Sequence, residues 1–261
     1  MNLIKRLIPF MLVLMVIGCG EPLRSLRIRN HVVRPTVSFL RGSGVVVSVK
    51  WVSWKLNKIE ILTAAHILWK IEFVPFRPMT GVIVRPHAVP PITRKLQTRL
   101  VVEFYDFDLF GQPQPVYIAS AKVIGQDFVN DLALLEAIVP RGKARAAVVP
   151  FMRPWMRMGQ RLSKCGFSGS SSMPGYNEGV FCRWDLTHEK SKRTRGVYSG
   201  GISFGDSGGG IFDEQGRLIG IISSIVGIMD LNWPRSTPAW HMGIFIFVDE
   251  KIIQDLRGKG V

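Results

Sequence analysis

The chain has 261 residues, 47% of them hydrophobic and 20% charged, with a formal net charge of +15. That length holds one double-core enzyme or two small domains, and the composition excludes wholesale disorder. Glycine (26) and proline (16) are scattered through the chain, which suits many short strands joined by turns. Of the cations, only Lys5 and Arg6 fall within residues 1–18. The excess charge therefore belongs to the body, where it keeps the surface soluble or attracts an anionic partner such as phospholipid headgroups. No nucleic-acid recognition motif accompanies it, so nucleic acid is not an expected partner.

The N-terminus reads as an export signal over residues 1–18. Lys5 and Arg6 precede Leu7–Ile17, which is apolar apart from its proline. This core is too short for a membrane-spanning helix, which needs roughly 20 residues, and it fits a secretory signal instead. Val16-Ile17-Gly18-Cys19 resembles the bacterial lipobox. That resemblance implies cleavage before Cys19 and its lipidation; an ordinary signal with Cys19 incidental is the alternative. Residues 19–35 lack hydrophobic periodicity and carry Arg24, Arg27, Arg29 and Arg34, so they read as a basic tether. Beside a lipid anchor, each cation would add about 1 kcal/mol of attraction to an anionic membrane. The expected location is the cell envelope, on its periplasmic or extracellular face.

With Cys19 consumed, Cys165 and Cys182 remain, flanking the Gly/Ser/Pro-rich stretch from Gly166 to Gly175. In an oxidising compartment they are a possible disulfide, worth about 3 kcal/mol by chain entropy. Two free thiols packed as small hydrophobes are the alternative. Two cysteines without paired histidines cannot complete a metal shell, and neither metal nor other cofactor is expected.

From Thr36 onward the pattern is short β-prone runs between turn signals: Thr36–Leu40, Val45–Trp51, Ile59–Thr63, Gly81–Val84, Leu100–Tyr105, Val116–Ile124 and Leu132–Leu135. Arg161–Phe167, Gly179–Trp184, Gly210–Phe212, Leu218–Ser223 and Met242–Val248 follow. Strands at this spacing predict an all-β sandwich or barrel. Helical pattern is confined to one turn after His66 and to Asp249–Leu256. Arg141–Pro154 is the expected crossing between two halves, residues 36–145 and 146–261.

Three motifs carry chemistry, in the order Leu62-Thr63-Ala64-Ala65-His66, Asn130-Asp131-Leu132-Ala133-Leu134-Leu135 and Gly205-Asp206-Ser207-Gly208-Gly209. A serine hydroxyl is a weak nucleophile at neutral pH and needs a base beside it. Histidine supplies that base because it accepts and returns a proton near neutrality. A carboxylate fixes the imidazole tautomer and stabilises the imidazolium. His66, Asp131 and Ser207 are the expected triad. The glycines around Ser207 permit a tight bend that aims the N–H groups of Gly205 and Ser207 at one point, an oxyanion hole. His31, His87, His188 and His241 lack such contexts, and the rival acids Asp106, Asp108 and Asp127 do not stand at a comparable strand entry.

The order His, Asp, Ser matches that of chymotrypsin, and residues 35–250 resemble a trypsin-like serine peptidase. Several segments are similar to the Deg/HtrA branch: Gly42–Val45 before the histidine strand, Lys122–Asp127 before the aspartate, Gly216–Ser223 after the serine, and Met242–Asp249 before the terminal helix. The resemblance implies two packed antiparallel β-barrels and a short C-terminal helix, with the triad in the cleft between barrels. His66 and Asp131 would come from the first barrel and Ser207 from the second. It implies a serine endopeptidase acting on a polypeptide substrate; a catalytically silent binding protein on the same scaffold is the alternative. No Ile-Val-Gly-Gly activation site is visible, so zymogen cleavage with a new N-terminus pairing to Asp206 is not expected. No PDZ module follows the catalytic part, so a single-domain peptidase is expected.

By motif spacing, Gly201 lies near the base of the substrate pocket, where trypsins carry an acid, and Ser223, Ser224 and Ile225 form the opposing wall. Glycine offers no charge to Lys or Arg, and Ile225 narrows the pocket. Small or medium apolar residues are therefore expected before the scissile bond.

Overall fold

The computed structural model describes residues 20–39, 42–73, 92–108, 112–168, 173–185, 195–225 and 242–260. Six antiparallel strands close a first barrel: β1 (Thr36–Phe39), β2 (Gly42–Trp51), β3 (Leu56–Thr63), β6 (Arg99–Phe107), β7 (Pro113–Asp127) and β8 (Leu132–Pro140), in the order β1-β2-β3-β8-β7-β6. A separate two-stranded ribbon, β4 (Trp69–Phe73) with β5 (Ile92–Leu96), lies outside it in the topology. Six more strands close a second barrel: β9 (Arg161–Gly166), β10 (Gly175–Asp185), β11 (Arg195–Tyr198), β12 (Gly210–Phe212), β13 (Leu218–Ile225) and β14 (Gly243–Phe247), in the order β10-β11-β14-β13-β12-β9. The expected two-barrel architecture is the observed one.

The apolar pattern explains how the barrels meet. A strand with one wet face alternates apolar and polar residues, whereas one buried on both faces reads as a continuous apolar run. Leu132–Leu135 is such a run. Ala133, Leu135 and Ala137 enter the core of the first barrel, while Leu132 and Leu134 point the other way into an inter-barrel core. β2 and β3 divide likewise, with Val46, Ile59 and Ile61 inside the barrel and Val45 and Leu62 at the seam. The second barrel contributes Phe212, Leu218, Ile221 and Ile246 to the seam. Its own core is aromatic, with Phe181, Phe245 and Phe247 packed at centroid distances of 4.7 to 6.4 Å.

Both ends of the described chain cross to the barrel distant from them in sequence. The stretch expected as a tether is, in its described part, a helix α1 (Gly20–Ile28) followed by a π-helical turn, Arg29–Val33. Val32 and Val33 are buried in the inter-barrel core. Arg24 pairs with Glu178 of β10 at 2.6 Å, and Val32 accepts a hydrogen bond from the Thr36 hydroxyl at 2.8 Å. The Glu178 pair ties the segment to the second barrel, and the Thr36 bond ties it to β1 of the first.

The C-terminal helix α2 (Glu250–Gly258), grouped with the second barrel in the sequence, packs on the first. Asp249 caps it, accepting from the Ile252 N–H at 2.9 Å. Its end rests on Gly125 of β7, where a Cβ would stand 2.0 Å from the Leu256 carbonyl oxygen; no larger residue fits there. Arg257 pairs with buried Glu60, and Lys259 pairs with buried Asp127 at 2.6 Å.

Three strands were not in the expected set: β4, β5 and β11. The run Gly81–Val84 lies outside the described residues, as do residues 1–19 with Cys19 and the signal. The possible disulfide is not formed, and the alternative of two free thiols is the one observed: Cys165 and Cys182 are free. Register explains it. Cys165 faces Tyr176 across the β9–β10 pairing, and Cys182 lies six residues further along β10, roughly 20 Å away at the rise of a strand. Complete burial pushes the Cys165 thiol up to about 12, which makes it an inert core residue.

Burial alone would raise Asp127, but hydrogen bonds from Lys259 and Asn130 outweigh it and hold the carboxyl below its usual range. Glu60 is depressed in the same way, burial being outweighed by Arg257. A carboxylate depressed by folding adds stability that is complete above about pH 4 and is lost as pH falls through its folded value. Asp127→Asn is therefore expected to lower the melting temperature at neutral pH, with the deficit shrinking towards about pH 3. Thermal unfolding of both proteins across that range checks it; a constant deficit would count against the linkage.

Candidate active site

His66 follows β3 in a tight 3-10 turn, Ala65–Leu68. Ala65 and Leu68 are buried in the first-barrel core, which turns the ring of His66 outward and leaves its side chain 46% exposed. Asp131 lies in the turn between β7 and β8 at φ +53°, a left-handed conformation that aspartate tolerates better than most residues. The turn is braced from behind. Asn130 donates to Asp127 through its side-chain amide at 2.7 Å and its backbone N–H at 3.1 Å.

The Asp131 carboxylate collects three donors. Its Oδ1 accepts from the backbone N–H of His66 at 2.8 Å. The ring Nδ1 lies 3.0 Å from Oδ1 and 2.9 Å from Oδ2. The hydroxyl of Ser223 donates to Oδ2 at 2.5 Å. With Nδ1–H directed at the carboxylate, the lone pair of the neutral ring sits on Nε2, the acceptor that a general base needs. Ser223 reaches Asp131 because β13 bulges there against β14, between Ile222 and Ser224; a bulge re-aims a side chain.

Ser207 lies in the loop from Ser203 to Gly209, between β11 and β12. Asp206, fully buried, accepts from the Ser203 N–H at 2.8 Å and the Ser168 hydroxyl at 2.7 Å, and it pairs with Lys164. The Gly208 N–H donates to Ile222 O and the Gly209 N–H to Asp206 O, both at 2.8 Å. Gly208, at φ +84°, passes so close to β2 that a Cβ would stand 2.0 Å from Ser43 O.

Ser43 fastens this loop to the first barrel. Its N–H donates to Ser207 O at 2.8 Å and its hydroxyl to Gly205 O at 2.7 Å. The same hydroxyl accepts from the Phe167 N–H at 2.8 Å, and Ser43 O accepts from the Thr63 hydroxyl at 2.6 Å. Two carbonyls of the loop are thereby occupied. The N–H groups of Gly205 and Ser207 have no acceptor among the described residues, as an oxyanion hole requires.

Gly42 stands between the serine loop and Ile67, the residue after His66. A Cβ there would lie 3.0 Å from both Ser207 O and the Ile67 side chain that follows His66. No hydrogen bond joins His66 to Ser207 among the described residues; such contacts commonly close only in the substrate complex.

The expected pocket residues are less unified. Gly201 lines a cavity of about 360 Å³ with Lys164, Ser168, Tyr176, Ile202 and Ser203, a set without Ser223 or Ser224. The Ser223 hydroxyl donates to Asp131, which draws its side chain towards that carboxylate. Ser224 is half-buried, and the side chain of Ile225 lies outside the described residues. Ile202, next to Gly201, packs against Gly243, which pairs with the Ile225 backbone. Two residues at the site were not singled out from the sequence: Ser223 as a ligand of Asp131, and Lys164. The one signal for Lys164 was a cation inside a short, otherwise buried strand, Leu162–Gly166.

Two six-stranded barrels, with a His–Asp pair on one and a glycine-framed serine on the other, define a serine peptidase of the chymotrypsin fold. The chain belongs to the trypsin-like peptidase domain family, whose model matches residues 42–221. No curated protein matches it in sequence. Among solved structures it is similar to the HtrA-type protease AlgW with a tripeptide (TM-score 0.57, 16% identity), over 89% of this chain but 63% of that one. A serine endoprotease from Yersinia pestis gives a TM-score of 0.54 at 17% identity, over 90% of this chain and 66% of that one. Deg5 gives 0.53 at 17% identity, over 90% and 93%. At these identities the likeness is one of fold.

Proposed function

We propose that this chain hydrolyses peptide bonds in polypeptides through an acyl-enzyme on Ser207. The observation that carries the reading is the His66 ring, bound at Nδ1 by Asp131 on the edge of the first barrel, with the glycine-framed Ser207 loop fastened to that edge by Ser43. Nε2 takes the Ser207 proton as Oγ attacks the substrate carbonyl carbon, and the carbonyl electron pair moves onto oxygen. The N–H groups of Gly205 and Ser207 receive that oxyanion, each such donor being worth about 3 kcal/mol. The C–N bond then breaks, the imidazolium gives its proton to the leaving amine, and water repeats the sequence on the ester. Asp131 remains ionised and steadies the imidazolium. A peptide-bound relative such as AlgW supports a polypeptide as the substrate class.

For specificity, Gly201 offers no carboxylate. A basic side chain entering a pocket whose lining holds the cation Lys164 and no carboxylate loses hydration without an ion-pair partner, and that penalty exceeds what methylene packing returns. Small or medium apolar residues before the scissile bond fit best. For location, Val16–Cys19 favours an exported, lipid-anchored protein whose basic segment faces an anionic membrane.

Ser207→Ala is expected to abolish peptide hydrolysis and fluorophosphonate labelling while leaving the melting temperature unchanged, because little packing is removed. A parent protein that neither cleaves nor labels would support the silent-scaffold alternative. In a peptide library, Ala, Val and Leu before the cleaved bond should exceed Lys, Arg and Phe in kcat/KM, and Ile225→Gly should raise turnover of the Phe substrate alone. A profile dominated by Lys and Arg would refute the pocket assignment. Cys19→Ser in a bacterial host should lose acyl labelling and leave the membrane fraction; unchanged fractionation rules the anchor out.

A further inference from the structure

The mechanism above leaves unused one buried pair of charges beside the nucleophile. Lys164 and Asp206 have side chains only 4% and 0% exposed. Burying an ion pair seldom repays its desolvation as stability, so its placement calls for another account. Every atom of the Asp206 carboxylate is tied to a structural neighbour of the loop. Oδ2 accepts from Ser203 N–H and from Lys164, and Oδ1 accepts from Ser168, whose hydroxyl oxygen lies 2.9 Å from Lys164 Nζ. Asp206 is the residue between Gly205 and Ser207, so its backbone dihedrals set the direction of the Ser207 N–H relative to that of Gly205.

We propose that Lys164 is a positioning residue: its ammonium, buried on β9, is the fixed cation that holds Asp206 inward and so keeps the Gly205–Ser207 N–H groups formed without any cleavage of the chain. The inference rests on the proposed peptidase reading. An inward Asp206 requires a cation, because an unpaired carboxylate in a dry site would turn out to solvent and carry the loop with it. The chain supplies that cation from a strand, covalently present as soon as the second barrel folds. A cavity of about 360 Å³ is lined by Lys164, Ser168, Gly201, Ile202 and Ser203, which gives a small cation a route to the position of the Lys164 side chain.

Lys164→Ala removes three carbons and the ammonium, a volume matched by propylammonium. With the full chain, the variant is expected to lose about a hundredfold in kcat, as when an oxyanion donor is removed, with KM within about threefold of the parent. Propylammonium chloride should restore kcat with saturation, whereas tetramethylammonium or sodium chloride at equal concentration should not. A folded variant turning over within threefold of the parent would overturn the proposal. So would a loss that propylammonium leaves untouched. If Lys164→Ala does not fold, Ser168→Ala decides: a kcat reduced at least threefold at constant KM upholds the proposal, and a parental kcat overturns it. An inactive parent would instead defeat the peptidase reading itself, so the two failures are distinguishable.

Discussion

Ser43 makes four hydrogen bonds at once: an N–H to Ser207 O, a hydroxyl to Gly205 O, the same hydroxyl receiving Phe167 N–H, and a carbonyl receiving Thr63 Oγ1. One buried serine thus speaks to β3 of its own barrel, to the nucleophile loop and to the end of β9. Much of the remaining seam between the barrels is apolar contact, which fixes distance but little orientation. Catalysis needs orientation, since a small displacement between nucleophile and base is costly in rate. The glycines at 42 and 44 leave room for this contact: at Gly42 a side chain would press on Ser207 O, and at Gly44 it would meet the Phe39 ring at 2.6 Å.

Most of the fold was legible because the strands obey simple rules. β2, β3 and β13 are rich in β-branched residues, and β8 is apolar on both faces because both faces are covered. β11 was missed because Arg195–Tyr198 is four residues long and contains a glycine. β4 and β5 carry Lys70, Glu72, Arg94 and Lys95 in an alternation too short to stand out. Residues 20–28 hide a helix behind arginines and a proline; a proline near a helix start is compatible with helix, but no long apolar stripe announces it.

The candidate triad was legible for a different reason: its residues are framed by local motifs whose backbone demands show in the sequence. What supports the triad is not local. Ser223 and Asp131 are 92 residues apart, Lys164 and Asp206 are 42 apart, and Lys259 and Asp127 are 132 apart. A hydroxyl or an ammonium has no periodicity, so its partner is defined only when the barrels close. Cys165 and Cys182 illustrate the converse. Nearness in sequence suggested a bond, and strand register separates them.

The crossing of α2 onto the first barrel bears on the order in which the molecule is built during synthesis. The first barrel's strands end at Pro140, yet the brace behind Asp131 runs through Asn130 and Asp127 to Lys259. A nascent chain that has released every strand of that barrel still lacks this brace, and Glu60 lacks Arg257, until residues 250–259 have emerged. Long-range closures of this kind are the slow steps of β-rich folding. The link from Lys259 to the aspartate turn therefore forms only after the strands of both barrels have emerged, and a translation product truncated before it would carry His66, Asp131 and Ser207 without that part of their support.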